Sequence, residues 1–144
     1  MDASVKHPVS RPKGWVTGIS WFMTAGVFFF APLKFYPGTA FGFPPYSEKF
    51  VSWGYPEWFR YGVGATELLI GILLLLPRRR FLGAALYMFL MTGAVTTHIV
   101  NHEPFVPDTI SATVHLVLSA LVALATWPAD WRDPFRTATL RSGT

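Results

Sequence analysis

The chain has 144 residues; 51% are hydrophobic, 17% are aromatic and only 14% are charged, with a mean hydropathy of +0.36. A soluble domain has about a quarter of its residues charged, so this chain has too few charges to cover a water-facing surface. The absence of cysteine removes disulfides, iron–sulfur clusters, thiolate zinc sites and a cysteine nucleophile, and in a membrane chain the net charge of +4 is read as topology before it is read as nucleic-acid affinity.

Met1 to Lys13 is polar and too long for the n-region of a signal peptide, and the apolar run after it has no small-residue cleavage site. The first helix is therefore expected to stay in the mature protein. Trp15–Leu33, Phe81–Val100 and Thr109–Trp127 contain no Asp, Glu, Lys or Arg, and Tyr61–Leu76 contains only Glu67. A helix of 19 to 20 residues spans roughly 30 Å, the thickness of the bilayer's hydrocarbon core, and the Glu67 stretch reaches that length if it starts near Trp58. The expected fold is all-α: a single membrane domain over 1–144, with four transmembrane helices at about 15–35, 57–76, 81–101 and 108–127. No helix has the polar outer face that a soluble bundle needs. Pro32 and Pro37 bracket the end of the first helix, Pro77 stops the second, Asp108 suits the N-cap of the fourth, and Trp127-Pro128 ends it. Gly64, Gly71, Gly83, Ala84 and Ala94 are small enough to let helices approach closely.

Nine of the twelve basic residues fall in the N-terminal tail (Lys6, Arg11, Lys13), the Arg78-Arg79-Arg80 turn and the C-terminal tail (Arg132, Arg136, Arg141). With four spans these segments share one side, and the positive-inside rule makes it the cytoplasm, in a multi-pass plasma-membrane protein with both termini cytoplasmic. Trp15, Trp127 and Trp131 mark the inner interface, Trp53 and Trp58 the outer one. The Arg triplet reads as topology rather than as a nucleic-acid site. The outer loop, 36–56, is long and rich in aromatics; it reads both as a cap on the bundle and as an interfacial anchor, and Ser47 suits the cap of a short helix through Ser52.

Glu67 lies about 13 Å below the outer interface, where a carboxyl is costly unless it faces the interior and has a partner. Arg60 is on the same helical face but two turns higher. His98 lies near the outer end of the third helix, one turn below His102. His115 belongs to a polar stripe with Asp108, Ser111 and Ser119, at a depth close to that of Glu67. Thr17, Ser20 and Thr24 form a weaker stripe on the first helix, which Lys34 ends. These positions converge in the outer half. Glu67, His98 and His115 are the candidate catalytic residues, and Lys34, Arg60, Trp58 and His102 are candidates for substrate binding. The loop is expected to close the site from above.

Three chemistries suit such a site. Acid–base work on a lipophilic molecule needs only a carboxyl and a histidine in an apolar shell. A metal is weaker: His98 and His102 at i, i+4 share a face, but the spacing alone says little and His102 faces water. Bis-histidine haem would need His98 and His115 at one depth. No metal is assigned.

Gly54-Tyr55-Pro56-Glu57-Trp58, Gly64-Ala65-Thr66-Glu67-Leu68-Leu69-Ile70-Gly71, Gly93-Ala94-Val95-Thr96-Thr97-His98 and Leu33-Lys34-Phe35 together resemble the DoxX-like membrane proteins over about residues 15–127. The resemblance implies a four-helix membrane bundle and carries the family's lysine, glutamate and histidine onto Lys34, Glu67 and His98. The aromatic loop and His115 are not part of that pattern. The namesake resembles a small membrane subunit of a thiosulfate:quinone oxidoreductase; other relatives resemble accessory proteins of redox or detoxification systems, or assembly factors. The expected partners are therefore membrane lipid, a small lipophilic molecule such as a quinone, and a redox partner protein. A cofactor-independent isomerase, cyclase or epoxide-opening enzyme is the alternative, and a non-enzymatic accessory subunit is the third reading.

Overall fold

A computed structural model describes residues 14–128. The tail residues that contribute to the expected topology, Lys6, Arg11, Lys13, Arg132, Arg136 and Arg141, lie outside them, as does Trp131. Among the described residues there are four long helices, α1 (Gly14–Leu33), α3 (Phe59–Leu75), α4 (Arg80–Val100) and α5 (Ile110–Ala125), and one short one, α2 (Tyr46–Ser52). The long helices pack in a ring: α1 on α3, α3 on α4, α4 on α5 and α5 back on α1, with α2 resting on α3. By length and apolarity α1 and α4 are able to cross a membrane; α5 is a shorter apolar helix.

The bundle buries polar side chains among its apolar core and leaves large apolar side chains on its outside. Ser20, Thr24, Lys34, Arg60, Glu67, Arg80, His115 and Ser119 are all buried, whereas Trp21, Phe22, Leu69, Phe89, Val117 and Leu124 are exposed. In water an apolar surface of this extent would be an aggregation liability; in lipid it is matched. The hydroxyls inside the helices cost little, because several donate to a carbonyl of the preceding turn: Ser20 to Val16 (2.7 Å), Thr92 to Met88 (2.8 Å) and Thr96 to Thr92 (2.8 Å).

Two of the expected helix caps are corrected. Ser47 does not cap α2. That helix starts one residue earlier, after Pro45, and the Ser47 hydroxyl donates to the Pro37 carbonyl (3.2 Å), pinning the loop to itself. Asp108 is not the N-cap of α5. Thr109 takes that place without a side-chain cap bond, because Phe105–Thr109 is a wide turn with extended backbone at Val106.

The two ends of the bundle are built differently. At the end with the Pro77–Arg79 turn, a Cβ on Gly83 would lie 2.9 Å from the Leu74 nitrogen, so α3 and α4 meet backbone to backbone. Arg80 looks in the sequence like one of three exposed turn charges, yet it is buried. Its Nε donates to the Leu74 carbonyl (3.1 Å) and its Nη1 to Thr17 Oγ1 (3.2 Å), which ties the turn to α1. Val16, Met23, Ile70, Leu74, Ala84 and Val122 fill the core. At the opposite end the helices enclose a cavity, roofed by the loop that contains α2.

Candidate functional site

The cavity has a volume of about 630 Å³ and is mostly apolar. That volume suits a small organic ligand. All four long helices contribute to its wall, and Phe43, Tyr46, Phe50, Trp53 and Tyr55 of the loop cover it. The loop aromatics divide by position: Phe50 is buried, while Tyr36 and Phe41 are exposed. Trp53, read from the sequence as an interfacial anchor, is part of the cavity wall.

Lys34, Glu67, His98 and His115 line this one cavity. Lys34 follows the last turn of α1, where Pro32 and Pro37 bring the chain out of the helix. Its ammonium lies 2.7 Å from Glu67 Oε2, with both side chains buried. The Lys34 Nζ also sits 4.7 Å from the centre of the Tyr46 ring. The partner that a membrane carboxyl requires is thus the lysine one helix away. Arg60, on the same face of α3 as Glu67, is not that partner.

His115 is buried on α5 and lies within electrostatic reach of Glu67. Its Nδ1 is 2.8 Å from the Ser111 carbonyl. A carbonyl only accepts, so Nδ1 carries the proton, and Nε2 is the ring nitrogen left to act as acceptor whenever the ring is neutral. That Nε2 faces the bare backbone of Gly26, where a Cβ would come within 3.1 Å. The ring also packs against Tyr87, with centroids 5.6 Å apart. Tyr87 is a cavity residue that the sequence reading missed. Its signal was present: Tyr87, Met91, Ala94 and His98 recur at spacings of four, three and four, on one face of α4.

His98 belongs to a second cluster, nearer the roof. It lies about 16 Å along α4 from Tyr87. Its Nδ1 is 4.0 Å from Glu103 Oε2, and its ring meets the Trp53 indole edge-on at 5.2 Å. Trp53 Nε1 donates to Glu103 Oε1 (2.9 Å), and Lys49 pairs with Glu103 Oε2 at 3.1 Å. Tyr55 and Thr97 share a hydrogen bond of 2.8 Å beside them. Glu103, Lys49 and Trp53 were missed as a set, because contacts between positions about fifty residues apart leave no local pattern.

Arg60, Trp58 and His102 are not part of the cavity lining. Arg60 is buried and structural: its guanidinium donates to the Lys34 carbonyl (2.7 Å), the Tyr36 carbonyl (3.3 Å) and the Tyr61 hydroxyl (2.5 Å). It clamps the end of α1 and so fixes the backbone that presents Lys34. Trp58 is 66% exposed at the start of α3. His102 lies beyond the end of α4 with a positive φ of 54°, so it does not share the helical face of His98. Among the described residues no three His, Asp or Glu side chains are grouped to hold a metal ion.

No curated protein and no solved structure matches the chain. Residues 16–122, the whole bundle from the first turn of α1 to the last turns of α5, match the DoxX-like family. The chain belongs to the DoxX-like family of membrane-associated proteins, a setting that its apolar outer surface suits.

Proposed function

We propose that this protein is a four-span plasma-membrane protein, with both termini cytoplasmic, that binds a small lipophilic molecule carrying hydrogen-bonding oxygens, quinone-like in chemistry. One observation carries this reading: a buried Lys34–Glu67 pair and the acceptor nitrogen of His115 sit on the wall of an apolar cavity of about 630 Å³. A ligand oxygen that accepts is served by the Lys34 ammonium, which has three N–H donors. A ligand hydroxyl is served by Glu67 and by His115 Nε2. The site therefore suits both a quinone's carbonyls and the hydroxyls of its reduced form. An association with a quinone-linked oxidoreductase, through a redox partner protein, follows from that fit.

The protonation of His115 favours a second reading, an acid–base enzyme without cofactor acting on a lipophilic substrate. A ring fixed through Nδ1 offers Nε2 as a base, and the ammonium is an acid or an oxyanion partner across the same space. A purely accessory subunit has less support, because helix-joining polar groups do not need to face an open cavity.

Binding is tested in lipid nanodiscs by quenching of tryptophan fluorescence with a short-chain para-benzoquinone and its quinol. Lys34→Met combined with Glu67→Gln removes both charges together and is expected to weaken binding at least tenfold. Unchanged affinity would refute the site. The topology is tested with Arg79→Cys in this cysteine-free chain; labelling by an impermeant reagent from outside the cell would overturn it.

A further inference from the structure

We infer that the ligand is a single-tailed lipid whose head occupies the cavity and whose tail leaves sideways, between α4 and the roof loop, along the outer surface of α4. This rests on the ligand-binding reading above and adds the shape of the ligand and its route.

A second hollow runs down the outside of α4, lined by Phe89, Thr92, Gly93, Thr96 and Val100. It adjoins the cavity: Trp53, Tyr55, Phe89, Gly93 and Thr97 line both. Phe89 is 81% exposed and Val100 67%, so this is the surface that α4, a helix apolar and long enough to span, presents to its surroundings. Gly93 is the opening. A Cβ there would meet nothing within 4 Å, in contrast to Gly64, Gly71 and Gly83, whose missing side chains admit a neighbouring helix. The hollow is apolar although it contains threonines. The hydroxyls of Thr92 and Thr96 donate to the carbonyls of Met88 and Thr92 (2.8 Å each), that of Thr97 is bonded to Tyr55, and the Asn101 amide donates to the Thr97 carbonyl (2.8 Å), so the polar side chains of the hollow are already partnered.

The chemistry of the two spaces then orders the ligand. The polar groups, Lys34, Glu67 and His115, belong to the cavity and not to the outer hollow. A cavity of about 630 Å³ holds a head group and a short length of chain, not a long lipid tail. A tail that stays among acyl chains gains little from burial, since lipid is as apolar as the groove. A side exit therefore lets a long-tailed molecule bind without leaving the bilayer.

The test measures binding of para-benzoquinones with no tail, a four-carbon tail and a ten-carbon tail in nanodiscs, with concentrations referred to the lipid phase. The wild type is expected to bind all three within about threefold. Gly93→Leu narrows the opening; it is expected to weaken the ten-carbon probe about tenfold more than the tail-less probe. Gly93→Ala serves as a milder variant if Gly93→Leu folds poorly. A diazirine at the tail end should label the peptide containing Phe89 to Thr96. Equal loss of tailed and tail-less probes in Gly93→Leu, rejection of the ten-carbon probe by the wild type, or labelling of the loop instead of α4 would overturn the side exit and leave the head site standing. Failure of every probe to bind the wild type would remove the function proposed above, and the side exit with it.

Discussion

Gly83 and Gly93 lie ten residues apart on one helix and do opposite things. At Gly83 the missing side chain is replaced by the backbone of α3, with the Leu74 nitrogen 2.9 Å from where a Cβ would be. At Gly93 it is replaced by empty space that joins a cavity. The two ends of the bundle follow the same division. The Arg80 end is closed by small residues and by a guanidinium whose bonds go to protein atoms. The loop end is held apart by bulky aromatics, and its charged groups, Lys34 and Glu67, face the space between the helices as well as each other. Small residues do not by themselves specify close packing; what lies opposite them decides. Buried charge likewise divides into groups bonded to backbone carbonyls, as at Arg60 and Arg80, and groups that border open volume.

The largest test of this contrast is at the ion pair. Lys34→Met alone leaves a buried carboxylate without its cation, and Glu67→Gln alone leaves a buried ammonium. Each should cost about 3–5 kcal/mol, while the double variant should recover most of that loss. Thermal unfolding in detergent measures all three. If either single variant is as stable as the wild type, the pair is not a compensated buried one. The same experiment shows why Glu67→Gln alone is a poor probe of chemistry: it disturbs folding through Lys34.

The glycines come next. Gly83→Val overpacks the closed end and should cost about 1–3 kcal/mol. Gly93→Ala removes a flexible residue from a helix without a clash and should stabilise by about 0.5–1 kcal/mol. A matching loss at both positions would erase the distinction between the two ends.

The most local effect is expected at the roof. Trp53→Phe keeps most of the ring and removes the hydrogen bond to Glu103, for about 1 kcal/mol. That energy should appear as faster amide exchange within residues 46–55, with α1 and α3 unchanged. Uniform acceleration across the bundle would mean that the roof is not a separate unit.

The long helices were legible because the absence of charge and the run of apolar residues act on each segment alone. The helices begin and end within a few residues of where runs such as Phe81–Val100 place them. Glu67 was legible for the same reason: a lone carboxyl in an apolar run must turn inward. Its partner was less so. Lys34 marks the end of α1 in sequence, and only the packing of α1 against α3, admitted by Gly64, brings it to Glu67. Arg80 was read as a turn charge because a charged residue at a helix end looks exposed; it instead bonds to a carbonyl left open where α3 stops, as Arg60 does beyond the end of α1. The Trp53–Glu103–Lys49 cluster joins the loop to the far end of α4, and no local periodicity foretells it.

The pairing of Lys34 with Glu67 has an electrical consequence. A single charge carried through a membrane field exchanges about 2.3 kcal/mol per 100 mV. Here opposite charges sit side by side, 2.7 Å apart, and their contributions to any such work cancel. An uncharged ligand that displaces the pair slightly, or inserts a hydroxyl between its members, moves no net charge across the bilayer. Occupancy of the site is therefore expected to be electroneutral, and to stay constant as the membrane potential of the cell rises and falls.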